Sequence, residues 1–289
     1  MTIHEVGSHN RHIGLFEKQA TPQDYWPRSF ALIPGGTVTL GYDRTQRLLP
    51  PDEFVREWQE QHLEHYGDSV TIDGALERDI RPTNYDAFYD YLNSKLLPLR
   101  TVTLLPFLLE TIAVEARQVL PSSLITRGSI PSIREGEKHG YFRYSGHGTI
   151  SQRSVVTFVK QQGFRLPTSD EWEYACSAGT RTLFYWGNES FVSERNAAET
   201  PTQHHPFGLQ IADDPNRWEY CDDPTIMRGG DGGKAICGGA GTLAESLPLA
   251  SAYYHQLDAN ETDRGLSIAF FRRVYDLVKA DRAISATES

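Results

Sequence analysis

Hydrophobic and polar residues alternate along residues 29–43, whose sequence is SFALIPGGTVTLGYD. Alternation with a period of two is typical of a half-buried β-strand, and Gly35-Gly36 in the middle is a turn signal. The segment therefore predicts a β-hairpin. Near the other end of the chain, residues 266–274 (LSIAFFRRV) predict a closing strand.

Three further segments have the pattern of helices. Residues 50–66 follow a double proline and predict an amphipathic helix, and residues 85–97 predict a second one. Residues 149–162 predict a third helix, with Val155, Val156 and Val159 on its inner face. Residues 119–148 are rich in Ser, Gly and charged residues, which predicts a loop.

The strongest local signal is the stretch 164–188, FRLPTSDEWEYACSAGTRTLFYWGN. Pro167 ends the extended segment before it. Thr168 and Glu171 have the spacing of a capping box, which predicts a helix start. Gly179 predicts the end of this helix in a left-handed residue. One face of the helix is predicted to carry Trp172, Ala175 and Cys176.

The order of motifs in this stretch, RLPT, EWEYA and YWGN, resembles the formylglycine-generating-enzyme or sulfatase-modifying-factor family. The resemblance implies an α+β, complex C-type-lectin-like fold with little regular secondary structure. It covers residues 29–43 and 101–277, including a strand and the start of a core helix in residues 101–118. The expected organisation has four parts: a polar lead-in (1–28), one domain (29–280), a lineage-specific insert within it (44–100) and a flexible tail (281–289).

Residues 206–223, PFGLQIADDPNRWEYCDD, are similar to the family's FGLYDMxGNVWEW. The family's next motif, RGG, fits either Arg228-Gly229-Gly230 or Cys237-Gly238-Gly239. The second register keeps the spacing to the later SAYY and AFF segments, and we therefore prefer it.

In the preferred register, three positions that carry arginine in the family are occupied in this chain by Cys237, Tyr254 and Phe271. The family's copper-binding cysteine pair would fall near Leu243 and near Leu247 or Pro248. Copper(I) needs soft thiolate ligands. Formylglycine generation is therefore not expected of this chain.

Composition excludes several functional classes. The formal net charge is −10 and no basic run is interleaved with aromatics, so a nucleic-acid partner is not expected. No run approaches the roughly 20 apolar residues that span a bilayer, and the first residues lack the apolar core of a signal peptide. The three cysteines are an odd number and have no metal-ligand spacing, so we expect a reducing, cytoplasmic location. Because disulfides are uncommon in that compartment, a Cys221–Cys237 disulfide is the less favoured alternative. The oligomeric state stays open.

Histidines offer the first candidate metal ligands. His62 and His65 lie three residues apart on a predicted helix and could bind iron or zinc. A partly buried helix face is the competing interpretation, because Phe54 and Trp58 share that face. A surface loop is favoured for His204-His205, and disorder is favoured over a metal tract for His4, His9 and His12.

Asn196 and Asn216 match family positions that contribute to structural calcium sites. Calcium takes six to eight oxygen ligands, many from backbone carbonyls, so sequence reports poorly on it. Carboxylates near them in sequence come from Asp213, Asp214, Asp222 and Asp223. A bound calcium ion is one alternative.

Cys237 is the candidate catalytic residue, because backbone amides of a glycine-rich loop could stabilise its thiolate. A buried, inert cysteine is the competing interpretation, since no base is assignable beside it. The resemblance implies that the segment after the GG pair faces a ligand groove. The candidate ligand-binding residues are Tyr185, Trp186, Tyr253, Tyr254 and His255.

Two hypotheses of function follow. In the first, the chain is a pseudo-enzyme that binds a peptide or small molecule in this groove. In the second, it is a diverged iron- or copper-dependent oxidoreductase of a biosynthetic pathway, whose ligands would come from His62, His65 and Cys237. A third reading, a diversified ligand-binding protein, would place variable positions in residues 240–265.

Overall fold

The computed structural model describes residues 2–5, 14–17, 29–45, 55–56, 58–59, 84–126, 148–188, 204–237 and 245–277. In this part of the chain, twelve short strands form two five-stranded sheets and one two-stranded ribbon. The strands are β1 Thr2–Glu5, β2 Gly14–Glu17, β3 Ser29–Ile33, β4 Gly36–Leu40, β5 Arg100–Leu104, β6 Phe107–Glu110, β7 Val114–Glu115, β8 Glu219–Tyr220, β9 Ile226–Arg228, β10 His255–Gln256, β11 Phe270–Phe271 and β12 Val274–Asp276. The helices are α1 Tyr85–Lys95, α2 Ala116–Val119, α3 Gln152–Gln161, α4 Ser169–Ser177, α5 Lys234–Cys237 and α6 Ala259–Arg264.

The first sheet has the order β1-β2-β3-β6-β12 and is antiparallel throughout. Strand β6, which lies between β3 and β12, is buried at all four positions. The segment 1–28, predicted to be a polar lead-in, contributes β1 and β2 to one side of this sheet.

The predicted hairpin at residues 29–43 is wrong, because its two halves lie in different sheets. β3 pairs with β6, whereas β4 pairs with β5 in the separate ribbon. At Gly35 the chain passes so close to Pro106 that a Cβ atom would lie 2.6 Å from the proline nitrogen. The strand partners thus come from residues 100–110, which a local alternation pattern cannot reveal.

The second sheet has the order β10-β9-β8-β11-β7 and is antiparallel except for the pair β8–β11. Residues 266–274 were predicted to form one closing strand. The structure divides this region into β11 and β12, which belong to different sheets. The two residues between them, Arg272 and Arg273, are buried.

The capping box at the start of α4 is confirmed. The Thr168 hydroxyl accepts from the Glu171 amide, and the Glu171 carboxylate accepts from the Thr168 amide. Left-handed conformations end the helix at Ala178 (φ 49°) and Gly179 (φ 81°). The predicted inner face is fully buried: it consists of Trp172, Ala175 and Cys176.

Two other predicted helices are confirmed as α1 and α3. Residues 55–56 and 58–59 are helical, in agreement with the predicted helix at 50–66, most of which lies outside the described residues. Trp58 packs edge-on against Phe88 of α1 at 5.5 Å, so this region contributes to the core. None of the helices within the described ranges is long and apolar enough to cross a membrane.

Candidate functional site

Arg228 bears on the register of the glycine-rich segment. It is fully buried at the end of β9, which pairs with β8, the strand of the WEY sequence. Its guanidinium donates to Glu173 of α4 at 2.8 Å and to the carbonyls of Ser251 and Tyr253 at 2.9 and 2.7 Å. Gly229 then follows with a φ of 81°. This burial favours the register that places Arg228-Gly229-Gly230 on the RGG motif over the register on Cys237, and the choice of register stays a prediction.

Arg272 is a second buried arginine. It follows Phe271, the residue that the resemblance aligned with a family arginine. Arg272 donates to both carboxylate oxygens of Glu219, at 2.8 and 3.1 Å. The same carboxylate accepts from the indole nitrogen of Trp172 at 2.9 Å. Arg272 thus connects β11 with β8 and α4, and the chain retains a buried arginine–glutamate pair here.

In the Arg228 register, the copper-ligand positions that the resemblance implies lie nine residues earlier, at Lys234 and at Gly238 or Gly239. These residues do not fit copper(I), because they supply no thiolate. Cys237 is the last residue of α5, and its side chain lies outside the described part. Cys176 and Cys221 are free and fully buried, and burial raises the pKa of the Cys176 thiol to about 12.

Asp231 determines where Lys234 stands. The buried Asp231 carboxylate accepts from the backbone amides of Lys234 and Ala235, at 3.0 and 2.8 Å, and so begins the one-turn helix α5. Gly232 and Gly233, both with φ above 70°, make the turn that leads to it. The backbone of Lys234 is therefore held in place near β10.

The Lys234 ammonium lies among three partners. It donates to the Nε2 atom of His255 at 3.1 Å and to the Oε1 atom of Glu261 at 3.2 Å, and it sits 5.0 Å above the ring of Trp218. The His255 ring also packs on Trp218, at 5.4 Å between centroids. We call these four residues, Lys234, His255, Glu261 and Trp218, the lysine cluster.

Within the lysine cluster, His255 is held in its neutral form. Burial and the nearby Lys234 charge lower the pKa of His255 to about 4, although Glu261 opposes this shift. A neutral Nε2 that accepts from lysine implies that the ring proton is on Nδ1. The cluster thus presents a lysine ammonium whose side chain is 42% exposed, beside an uncharged imidazole.

Tyr185 and Trp186, two of the predicted ligand-binding residues, belong to a separate aromatic cluster. Trp186 stacks on Phe184 at 4.6 Å, and Tyr185 packs edge-on against Trp186 and His205, both at 4.8 Å. Burial raises the pKa of Tyr185 to about 12.

His205 is buried and anchors this aromatic cluster, in contrast to the expected surface loop. Its Nε2 atom lies 3.0 Å from the carbonyl of Cys176, and its Nδ1 atom accepts from the Phe207 amide at 3.2 Å. Burial lowers the pKa of His205 to about 4. His204 beside it is exposed.

The structure therefore divides the five predicted groove residues. His255 is in the lysine cluster, Tyr254 is half-buried next to it in sequence, and Tyr253 is buried, with its backbone carbonyl bound to Arg228. Burial raises the pKa of Tyr253 far above its ordinary value. Sequence reasoning missed Lys234 and Glu261; the signal was the GGDGGK run after Arg228.

The predicted metal ligands are only partly within the described residues. His62, His65, Asn196, His9 and His12 lie outside them, and His4 lies in β1 with its side chain undescribed. In the described ranges, no group of three or more His, Cys, Asp or Glu side chains could hold a metal ion.

The Asn216 region is occupied by internal contacts. Asp214 accepts from the backbone and side-chain amides of Asn216, both at 2.9 Å, and Arg217 lies 3.3–3.4 Å from Asp213 and Asp214. These carboxylates are therefore paired with protein groups, and the calcium site stays a prediction.

A family model described as the sulfatase-modifying factor enzyme 1-like domain matches residues 17–220. The match covers more than half of the chain, and the chain belongs to this family. Its fold is accordingly the α+β fold of the formylglycine-generating-enzyme type. The matched range ends at Tyr220, before the segment that carries Lys234.

Among curated proteins, the chain is similar to the formylglycine-generating enzyme of Mus musculus, with 27% identity over 180 residues. The alignment covers 56% of this chain and 45% of the mouse protein, so the chain spans less than half the length of that relative. Among solved structures it is similar to PvdO from Pseudomonas aeruginosa, with 12% identity, a TM-score of 0.49 and coverage of 92% of this chain and 99% of PvdO.

Proposed function

We propose that this chain is a ligand- or peptide-binding member of its family that does not generate formylglycine. The observation that carries the proposal is the ion-paired Lys234, which stands at the copper-ligand position implied by the Arg228 register. The ammonium of Lys234 is bound by an imidazole and a carboxylate, and a cation in that place repels a metal ion.

The remaining described cysteines do not replace the missing pair. Cys176 and Cys221 are free and fully buried in one hydrophobic core cluster, and burial raises the pKa of both thiols. A thiol with a raised pKa is a poor nucleophile and a poor metal ligand at neutral pH. This supports a binding role over a thiolate-dependent oxidation.

The lysine cluster is the proposed binding surface. It offers a partly exposed ammonium, a neutral imidazole and an indole that is held in place by a hydrogen bond to the Ile268 carbonyl at 2.7 Å. Such a surface suits a peptide or small molecule that presents a carboxylate or a carbonyl oxygen next to an apolar group.

The first test asks whether the protein generates formylglycine, the reaction that the proposal excludes. Purified protein would be loaded with copper(I) and incubated in air with a cysteine-containing peptide, and mass spectrometry would look for conversion of cysteine to an aldehyde. We expect none. Aldehyde formation above a no-protein control would overturn the proposal.

The second test is for binding. Immobilised protein would be screened with a random peptide library, and positive peptides measured against the variants Lys234→Met and Lys160→Met, the latter an exposed control on α3. We expect only Lys234→Met to weaken binding, by about tenfold. Stoichiometric iron or copper in the purified protein, lost in His62→Ala, would instead establish the oxidoreductase alternative.

A further inference from the structure

A cleft of about 410 Å³ lies at the β7 edge of the second sheet. Its wall comes from the end of β7, the start of α2, the segment that leads into β11, and the residues just before β8. None of the described residues that line it belongs to the lysine cluster. Ligand pockets in proteins measure about 300–1,000 Å³, so this cleft has room for a small molecule or for the end of a peptide.

Arg117 places a fixed positive charge in the wall of the cleft. Its Nη2 atom donates to the carbonyls of Gly148 and Ser267, at 2.6 and 2.7 Å, and these two bonds hold the half-buried guanidinium in place. Among the described residues Arg117 has no ion-pair partner, and its Nε and Nη1 atoms make no hydrogen bond. A guanidinium that is held in this way and keeps N–H donors unused is suited to bind a carboxylate.

The other arginine of the cleft, Arg217, is already paired. It lies 3.3 Å from Asp213 and 3.4 Å from Asp214, and its guanidinium lies 5.7 Å over the ring of Phe270. Asp214 also accepts from the backbone and side-chain amides of Asn216. These groups satisfy one another, so they leave the Arg117 charge to a ligand.

Glu115 supplies an acceptor on the β7 side of the cleft. Its Oε2 atom accepts from the Gln118 side chain at 2.7 Å, and within the described ranges its Oε1 atom accepts no hydrogen bond. The half-buried side chains of Ile268 and Phe270 form the apolar part of the wall. The cleft thus combines one cation, one open acceptor and an apolar surface.

We infer that this cleft binds the carboxyl-terminal residue of a peptide, where that residue has an apolar side chain. The terminal carboxylate would bind the Nε and Nη1 atoms of Arg117, and the amide N–H of the same residue would donate to Glu115. The side chain would lie on Ile268 and Phe270. A free amino acid fits less well, because its ammonium brings three donors to the one open oxygen of Glu115.

This site goes beyond the binding surface proposed above and does not depend on it. The test of the lysine cluster uses Lys234→Met, whereas the tests below use residues of the cleft, so the failure of one proposal is distinguishable from the failure of the other.

Isothermal titration calorimetry of the full chain with acetyl-Ala-Ala-Phe tests the inference. We expect this peptide to bind, and its carboxyl-terminal amide and the analogue acetyl-Ala-Ala-Gly to bind about tenfold more weakly or worse, since each lacks one of the recognised groups. Arg117→Gln should weaken binding of acetyl-Ala-Ala-Phe by about tenfold, whereas Arg153→Gln, an exposed control on α3, should not.

Glu115→Ala separates a ligand contact from a structural role. The comparison ligand is 3-phenylpropionate, which has the carboxylate and the ring but no amide N–H. Glu115→Ala should weaken binding of acetyl-Ala-Ala-Phe relative to binding of 3-phenylpropionate, and a structural defect would weaken both alike.

Four results would overturn the inference, and three of them need no variant. They are the absence of binding at millimolar peptide, equal binding of the acid and its amide, tighter binding of free phenylalanine than of acetyl-Ala-Ala-Phe, and full affinity in Arg117→Gln.

Discussion

The pair Arg272–Glu219 and the pair Lys234–Glu261 use the same chemistry in opposite surroundings. The first pair is 1% and 4% exposed, and Arg272 also donates to the carbonyls of Glu110, Thr111 and Gln210. The second pair is 42% and 25% exposed, with a longer separation of 3.2 Å. Burial requires a full set of hydrogen bonds, so the first pair is fixed, whereas the partly exposed second pair is the one that we propose exchanges its partners for a ligand.

Removal of one member of the buried pair should have the largest effect. Arg272→Met keeps an unbranched apolar stem but leaves the Glu219 carboxylate with Trp172 as its remaining donor of this network. We expect a loss of about 3–5 kcal/mol in the free energy of unfolding, measured by urea denaturation at neutral pH.

The matched control is Arg153→Met at an exposed position of α3, which should change the unfolding free energy by less than about 0.5 kcal/mol. A loss below about 1 kcal/mol in Arg272→Met would show that the buried pair does not hold β11 against β8 and α4.

The second-largest loss of stability is expected when the pH is lowered, through protonation of His205 in the aromatic cluster. The unfolded chain protonates this histidine near pH 6.5, whereas the folded protein resists protonation until about pH 4. The unfolded state therefore binds more protons between these values, and stability falls as the pH is lowered through this window.

For His205 alone the loss between pH 7 and pH 4 is about 3 kcal/mol, since each pKa unit corresponds to about 1.4 kcal/mol. Urea unfolding at half-unit pH steps would measure it, with His205→Gln as the comparison. A variant whose stability falls as steeply as that of the parent would refute the assignment to His205.

The smallest effect on stability is expected in the lysine cluster. Lys234→Met should change the free energy of unfolding by less than about 1 kcal/mol, because exposed ion pairs contribute little. The same change should raise the pKa of His255 above about 4, since the Lys234 charge is one cause of its lowering.

Glu261→Gln gives the opposing control. Glu261 raises the pKa of His255, so this variant should lower it further. NMR titration of the imidazole nitrogens would follow both variants. Shifts in the same direction for both would contradict the contacts seen at His255.

Local signals in the sequence predicted local structure well. The α4 capping box needs only Thr168 and Glu171, three residues apart, and α1 carries its cap at Asn84, so both helices are confirmed. The hairpin failed because the partners of β3 and β4 are about seventy residues away, and the alternation pattern holds no information about them.

The site was harder to predict because its position depends on the strand register. Spacing to SAYY favoured Cys237, whereas the pairing of β9 with β8 places Arg228 opposite Glu219, where it is buried. The full burial of the arginine beside Gly229-Gly230 bears on the choice of register, and residue spacing alone holds no information about burial. The lysine cluster joins residues 218, 234, 255 and 261, and only the folded sheet brings these together.

The position of β6 between β3 and β12 also bears on how the protein is made. β6 needs β12 as its neighbour, and the Arg273–Glu110 ion pair beside it joins residues 163 positions apart. At about 5–20 residues per second, a ribosome needs roughly ten to thirty seconds to bridge that interval. For that time the apolar residues of Phe107–Glu110 lack their second partner strand, and this unpaired edge of the nascent chain is prone to aggregation.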